Sequence, residues 1–203
     1  MHEVQRESMM FQRKMLGTLC LLLAPSSLLF GLFGLKTNLP GWYMSISATY
    51  YANSKVFMIG LLYAIAVFFA AYRGYDKYDR TVAIIESITA LGITLFPCKS
   101  PDVPELVGMF NLPVSVSNVF HCICASVLFL TFDFNVLILF RKSGPEPTEK
   151  KKIRNVIYLI CGIIIFVFMI LQIITSIFSF FDSSVIVVKN SLYSECNYIE
   201  IIP

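Results

Sequence analysis

The sequence predicts an all-α fold, a polytopic transmembrane helix bundle of about five spans with its N-terminus in the cytoplasm. Three observations predict it. Of 203 residues, 57% are hydrophobic and only 14% are charged, which leaves too little polar surface to solvate a soluble domain of that size. Five apolar runs (16–35, 56–72, 81–96, 119–140 and 156–181) approach or exceed the roughly 17–25 residues a helix needs to cross about 30 Å of hydrocarbon. Finally, the basic residues gather in short clusters between alternate runs, as they do in cytoplasmic loops.

The first run, Leu16 to Leu35, follows a cytoplasmic segment 1–15 that carries Arg13 and Lys14. It exceeds the roughly 7–15 residues of a signal-peptide core and no small-residue cleavage site follows, so it reads as a span. The next loop, Lys36 to Lys55, sets Trp42, Tyr43, Tyr50 and Tyr51 at an aromatic belt and offers the hydroxyls of Ser45 and Ser47. After the second run comes a charged interfacial turn, Arg73 to Arg80, with Tyr75 and Tyr78. The third run is short and contains Glu86. Between Pro97 and Asn118 four prolines predict an irregular lid over the helix ends. The fourth run is followed by a Gly- and Pro-bearing linker, Ser143 to Arg154, and the fifth ends at Phe181. The remaining residues, 182–203, are too polar for a sixth span and read as an extracytoplasmic tail in which VIVV and YIEII form two short strands.

Orientation follows from the sixteen Lys and Arg residues. With the N-terminus inside, the inner segments hold Arg6, Arg13, Lys14, Arg73, Lys77, Arg80, Arg141, Lys142, Lys150, Lys151, Lys152 and Arg154. Only Lys36, Lys55, Lys99 and Lys189 fall outside. A net charge of +3, without basic residues interleaved with aromatics along a groove, excludes nucleic acid as the expected partner. Six cysteines and two histidines show no paired metal-ligand spacing, so neither a metal nor a cofactor is expected. Cys98 and Cys196 both fall on the outer face, where an oxidising compartment allows a disulfide that tethers the tail.

Ionisable groups inside lipid cost about 2.5–3.5 kcal/mol at a helix centre and are functional candidates for that reason. Glu86 and Asp133 lie at comparable depth in the inner half, where they form either a carboxyl pair in a proton or cation path or two separately hydrogen-bonded acids. His121 lies near the outer end of the fourth run, too far along the helix to pair with Asp133. Its natural partners are Ser45, Ser47, Tyr50 or Tyr51 of the first outer loop. A structural hydrogen bond is the plainer reading, and a histidine beside a serine is also the pairing that activates a nucleophile.

Several of these residues carry a resemblance. Leu39-Pro40, Ser45-Ile46-Ser47, Tyr50-Tyr51 and Val56-Phe57 with Gly60, then Leu95-Phe96-Pro97 and His121 with Ala125 and Phe129, resemble bacterial relatives of the damage-regulated autophagy modulator (DRAM) and Frag/Sfk-type membrane proteins. The resemblance covers Leu39 to Phe140. It implies a bundle of about six helices, usually without an assigned reaction, and a lipid-facing role by analogy with eukaryotic members; the chain after Phe181 departs from that pattern.

The leading expectation is therefore a non-enzymatic multi-pass protein of a bacterial inner (plasma) membrane. Membrane lipid is its partner, bound at an outer site made of Trp42, Ser45, Ser47, Tyr50, Tyr51 and His121. A lipid-modifying enzyme using His121 is the runner-up. A third reading is a transporter or ion-conducting homo-oligomer using Glu86 and Asp133.

Overall fold

The computed structural model describes residues 3–33, 38–74, 76–141 and 148–199, with backbone alone described beyond Phe178. Lys36, Tyr75 and Lys142 lie outside the described residues. The fold is all-α. Five helices run α1 (Glu3–Leu32), α2 (Lys55–Ala71), α3 (Lys77–Leu95), α4 (Val114–Phe134) and α5 (Glu149–Ile199).

The first helix begins well before the apolar run, because residues 3–15 are rich in Glu, Gln, Arg, Lys and Met and contain neither Gly nor Pro. α3 starts at Asp76, whose side chain accepts the Asp79 backbone N–H at 2.9 Å and so satisfies one orphan donor of the first turn. Arg80 reaches back across the turn and donates to the carbonyls of Ala70 and Tyr72, both at 2.6 Å, capping α2. The charged turn from Arg73 to Arg80 is thus a mutual clamp between two helix ends.

Met10–Leu32, Val114–Leu139 and Glu149–Thr175 are long and apolar enough to cross a membrane, and α2 is a shorter apolar helix. Their outward faces carry exposed Leu21, Ile123, Phe129, Ile163, Phe168 and Leu171, a surface that only lipid or another apolar partner suits. α3 is different in kind: it packs along both α2 and α4, and its buried face is made of Ala83, Glu86, Ser87, Thr89, Ala90, Gly92, Ile93 and Thr94. Small residues let the flanking helices approach closely. Met58, Leu62, Ala66, Ala90, Ile93 and Leu128 close the middle of the bundle, and Leu16, Ile65, Phe69, Tyr72 and Ala83 form a second cluster toward the basic end.

Two expected loops differ. The proline-rich lid contains a small antiparallel hairpin, β1 (Leu106–Val107) with β2 (Leu112–Pro113), pairing Leu106 with Pro113 and Val107 with Leu112. Gly108 at φ +77° and Asn111 at φ +48° supply the left-handed residues that turn it. Residues 182–199 are not two strands: α5 continues through them as helix to Ile199. A helix already more than thirty residues long adds each further residue without a new nucleation cost, which outweighs the weak strand preference of the Val and Ile residues there.

Trp42, the only tryptophan, is 6% exposed and packs with its six-membered ring against Gly31 of α1. A Cβ on Gly31 would overlap the indole ring, which is rigid. Overpacking costs about 1–3 kcal/mol, against a gain of at most about 1 kcal/mol from replacing a helical glycine by alanine. Gly31→Ala is therefore expected to expel Trp42, red-shifting tryptophan emission and lowering the thermal midpoint by several degrees; unchanged emission would show that the contact is not tight.

Candidate functional site

The segment that follows α3 is tied down through three successive carbonyls. Phe96 O accepts from His121 Nδ1–H at 2.8 Å, Pro97 O from the Ser117 hydroxyl at 2.8 Å, and Cys98 O from the Tyr51 hydroxyl at 2.7 Å. These carbonyls belong to the C-cap residue of α3 and the two residues beyond it, and side chains of α4 and of the first loop supply their donors. On its other nitrogen, His121 Nε2 stands 3.0 Å from Ser47 Oγ. The sequence-predicted pairing of His121 with a loop hydroxyl is present, through Ser47.

The other expected members of that site turn elsewhere. Ser45 is exposed and its Oγ accepts the Ala48 N–H at 3.1 Å within its own turn. Tyr50 lies beneath the Lys55 ammonium, 4.0 Å from ring centroid to Nζ, and Tyr51 is spent on Cys98. Trp42 packs on Gly31, and with Tyr43, Leu28, Leu29 and Leu32 it lines an open apolar groove of about 540 Å³.

The large cavity is at the opposite end. About 860 Å³ in volume, it is walled by α1, α2, α3, the stretch following α4 and the start of α5. Leu16, Phe69, Phe132 and Leu139 give it apolar walls; Arg13, Lys14, Lys151 and Arg154 stand around it with one buried carboxylate, Asp79, among them; Glu86 and Asn135 are further polar groups of its lining. Neither His121 nor Ser47 lines this cavity or the groove.

Arg13 is fixed by two hydrogen bonds from its guanidinium to the Tyr72 hydroxyl, at 2.8 and 2.5 Å, and its guanidinium carbon stands 5.6 and 5.7 Å from the centroids of the Tyr72 and Phe140 rings. Two donors converging on one acceptor are a geometry that the arginine fork provides and lysine does not. Lys151 donates to Phe140 O at 2.7 Å, closing the break between α4 and α5. Lys14 and Arg154 are exposed.

Glu86 is 1% exposed, and its Oε1 accepts from the Asn135 amide. Asp133 does not meet it. Two residues on an α-helix stand about 200° apart, so the face that presents Asn135 to Glu86 turns Asp133 toward α5, beside Gly162, where Asp133 Oδ1 has no hydrogen-bond partner. Equal depth suggested the acid pair; helical phase prevents it. Between Glu86 and His121 lies an apolar cluster of Met58, Leu62, Ala90, Ile93 and Leu128, with the buried hydroxyl-bearing residues Ser87, Thr89 and Thr94 on the same stretch of α3.

No metal-ligating group of three or more His, Cys, Asp or Glu occurs among the described residues. Cys98 is a free, buried thiol, so the expected disulfide is not formed at its Cys98 end; the side chain of Cys196 lies outside the described residues. Arg13, Tyr72 and Asn135 were not legible as site residues. Asn135 alone left a signal, since it continues the α4 face of Leu128 and Phe132 by steps of four and three.

These features define an all-α protein with three helices long and apolar enough to cross a membrane, a hydrogen-bonded end, and a cavity with basic residues and apolar walls at the other. No protein family, curated protein or solved structure matches the chain.

Burial raises the Cys98 thiol to about 11 and pushes the Tyr51 phenol above its ordinary range. A thiol ionising near 9 when unfolded and about 11 when folded gives a stability contribution that is present below pH 9 and lost as pH rises to 11. At pH 7 only about one Cys98 in ten thousand is thiolate. Maleimide is therefore expected to spare Cys98 in the folded protein at pH 7 and to modify it after denaturation; rapid labelling of the folded protein would contradict the buried placement.

Proposed function

We propose that the protein is a multi-pass membrane protein that binds an anionic amphiphile in the cavity at its basic end. The observation that carries this reading is the joining of cationic groups and apolar walls in one cavity: Arg13, Lys14, Lys151 and Arg154 with Leu16, Phe69, Phe132 and Leu139. A ligand suited to both has a phosphate or carboxylate head and a hydrocarbon chain. Clusters of basic residues on the inner side of a membrane favour the cytoplasmic leaflet, where anionic lipid is at hand. The basic end is accordingly read as cytoplasmic, the membrane as a bacterial plasma membrane, and α2 and α3 as crossing it beside the three longer helices. The resemblance to DRAM and Frag/Sfk-type proteins supports a lipid-facing role in the same sense.

Lys14 and Arg154 are the residues to alter, because both are exposed and Arg13 is held by Tyr72. At about 1 kcal/mol per basic group near an anionic surface, Lys14→Gln with Arg154→Gln is expected to weaken phosphatidylglycerol binding about 30-fold and to leave phosphatidylcholine binding unchanged, as read by native mass spectrometry of the protein released from mixed-lipid nanodiscs. Equal retention of the two lipids by the parent protein, or no loss in the double variant, would overturn the reading.

A further inference from the structure

We infer that Ser47 and His121 form a nucleophile and base for acyl transfer from an ester lipid at the outer end of the bundle. The inference begins with the protons. A backbone carbonyl only accepts, so the 2.8 Å contact with Phe96 O fixes the hydrogen on Nδ1 of the neutral imidazole. Nε2 then carries the lone pair, and at 3.0 Å it receives the hydrogen of the Ser47 hydroxyl. Base, nucleophile and orienting acceptor stand in the relation that activates a serine, with a main-chain carbonyl as the orienting group.

The three carbonyl anchors separate this arrangement from simple pinning. Ser117, Tyr51 and His121 each hold one carbonyl of the segment after α3. Of the three, only His121 carries a second polar side-chain atom, and that atom meets a hydroxyl. His121 is 5% exposed while Ser47 is half-buried, so the base is shielded behind a nucleophile that remains reachable. Both are held: His121 by α4 and Phe96, Ser47 by a loop whose ends are fastened through Asn38, which donates to Gly31 O at 2.6 Å and accepts from Asn53 N–H at 2.8 Å. The same loop contributes Trp42 and Tyr43 to the apolar groove with Leu28, Leu29 and Leu32, a surface for a hydrocarbon chain.

The substrate class is an acyl ester presented by the membrane. Ser47 Oγ attacks the ester carbonyl carbon as its proton passes to His121 Nε2. The carbon–oxygen bond to the alcohol breaks, and the alcohol leaves with that proton, giving an acyl ester on Ser47. Water, deprotonated by His121, or a second lipid hydroxyl then takes the acyl group and restores the serine. Each step conserves protons and needs no oxidant or reductant.

A lipophilic fluorophosphonate, applied to the full chain in nanodiscs, tests the pair. The expected result is a phosphonyl adduct mapped to Ser47 by peptide mass spectrometry, absent in Ser47→Ala and formed at least 100-fold more slowly in His121→Gln. Ser47→Cys guards against loss of fold in the histidine variant: beside His121 its alkylation by iodoacetamide is expected to persist well below pH 7, where an ordinary thiol is unreactive. An adduct elsewhere or none, together with Ser47→Cys reactivity that rises with pH about an ordinary midpoint near 8.5, would overturn the inference.

Discussion

A carboxyl group inside an apolar bundle has to be met by a hydrogen-bond donor, and Glu86 is met by Asn135. That requirement explains much of the basic end. It sets α3 between α2 and α4 with its small and polar residues inward, because Ala83, Ala90 and Gly92 give the close approach that an enclosed carboxyl needs. It also fixes the phase of α4, which brings Phe132 and Asn135 to the same side. Immediately after, residues Asn135–Leu139 wind as a π-helix, with Phe140 N–H bonded to Asn135 O at 2.8 Å. Such widened turns are frequent at functional sites, and this one forms part of the cavity wall through Asn135, Val136 and Leu139.

The two ends of the bundle solve the problem of buried polar groups differently. At the end away from the cationic cavity the carbonyls of Phe96, Pro97 and Cys98 each find a side-chain donor, and the rings of Phe110 and Phe120 stack on Phe96. At the basic end a cavity of about 860 Å³ lies between the helices, and the Arg13 guanidinium is held on the Tyr72 hydroxyl. Gly92 against Cys124 keeps α3 and α4 in contact between those ends, while Gly162 against Leu137 brings α5 to the π-helical stretch.

Much of the fold was legible because it rests on periodic and compositional signals. Apolar runs marked all five helices, and Asp76, Pro97 and the linker beyond Arg141 marked their breaks. The helical state of residues 182–199 was hidden, because local Val and Ile content was weighed without the long helix before it. At the site, the meeting of His121 with a loop hydroxyl was readable, since one polar group at a helix end has few partners within reach. The cavity was not. Its rim comes from helices far apart in sequence, and topology had already explained the basic residues, so Arg13 and Arg154 gave no sign of sharing a space. Pairing Glu86 with Asp133 failed for a narrower reason: depth along a helix was used without its phase.

The central claim is that the cavity at the basic end is a ligand site and not a packing gap. The most direct measurement is an electron-density map of the protein crystallised from a lipidic mesophase doped with phosphatidylglycerol. Continuous density is predicted from a head group beside Arg13 and Arg154 to an acyl chain along Leu16, Phe69 and Phe132. A cavity collapsed onto Glu86, or one filled only by ordered water with the lipid elsewhere, would contradict the account.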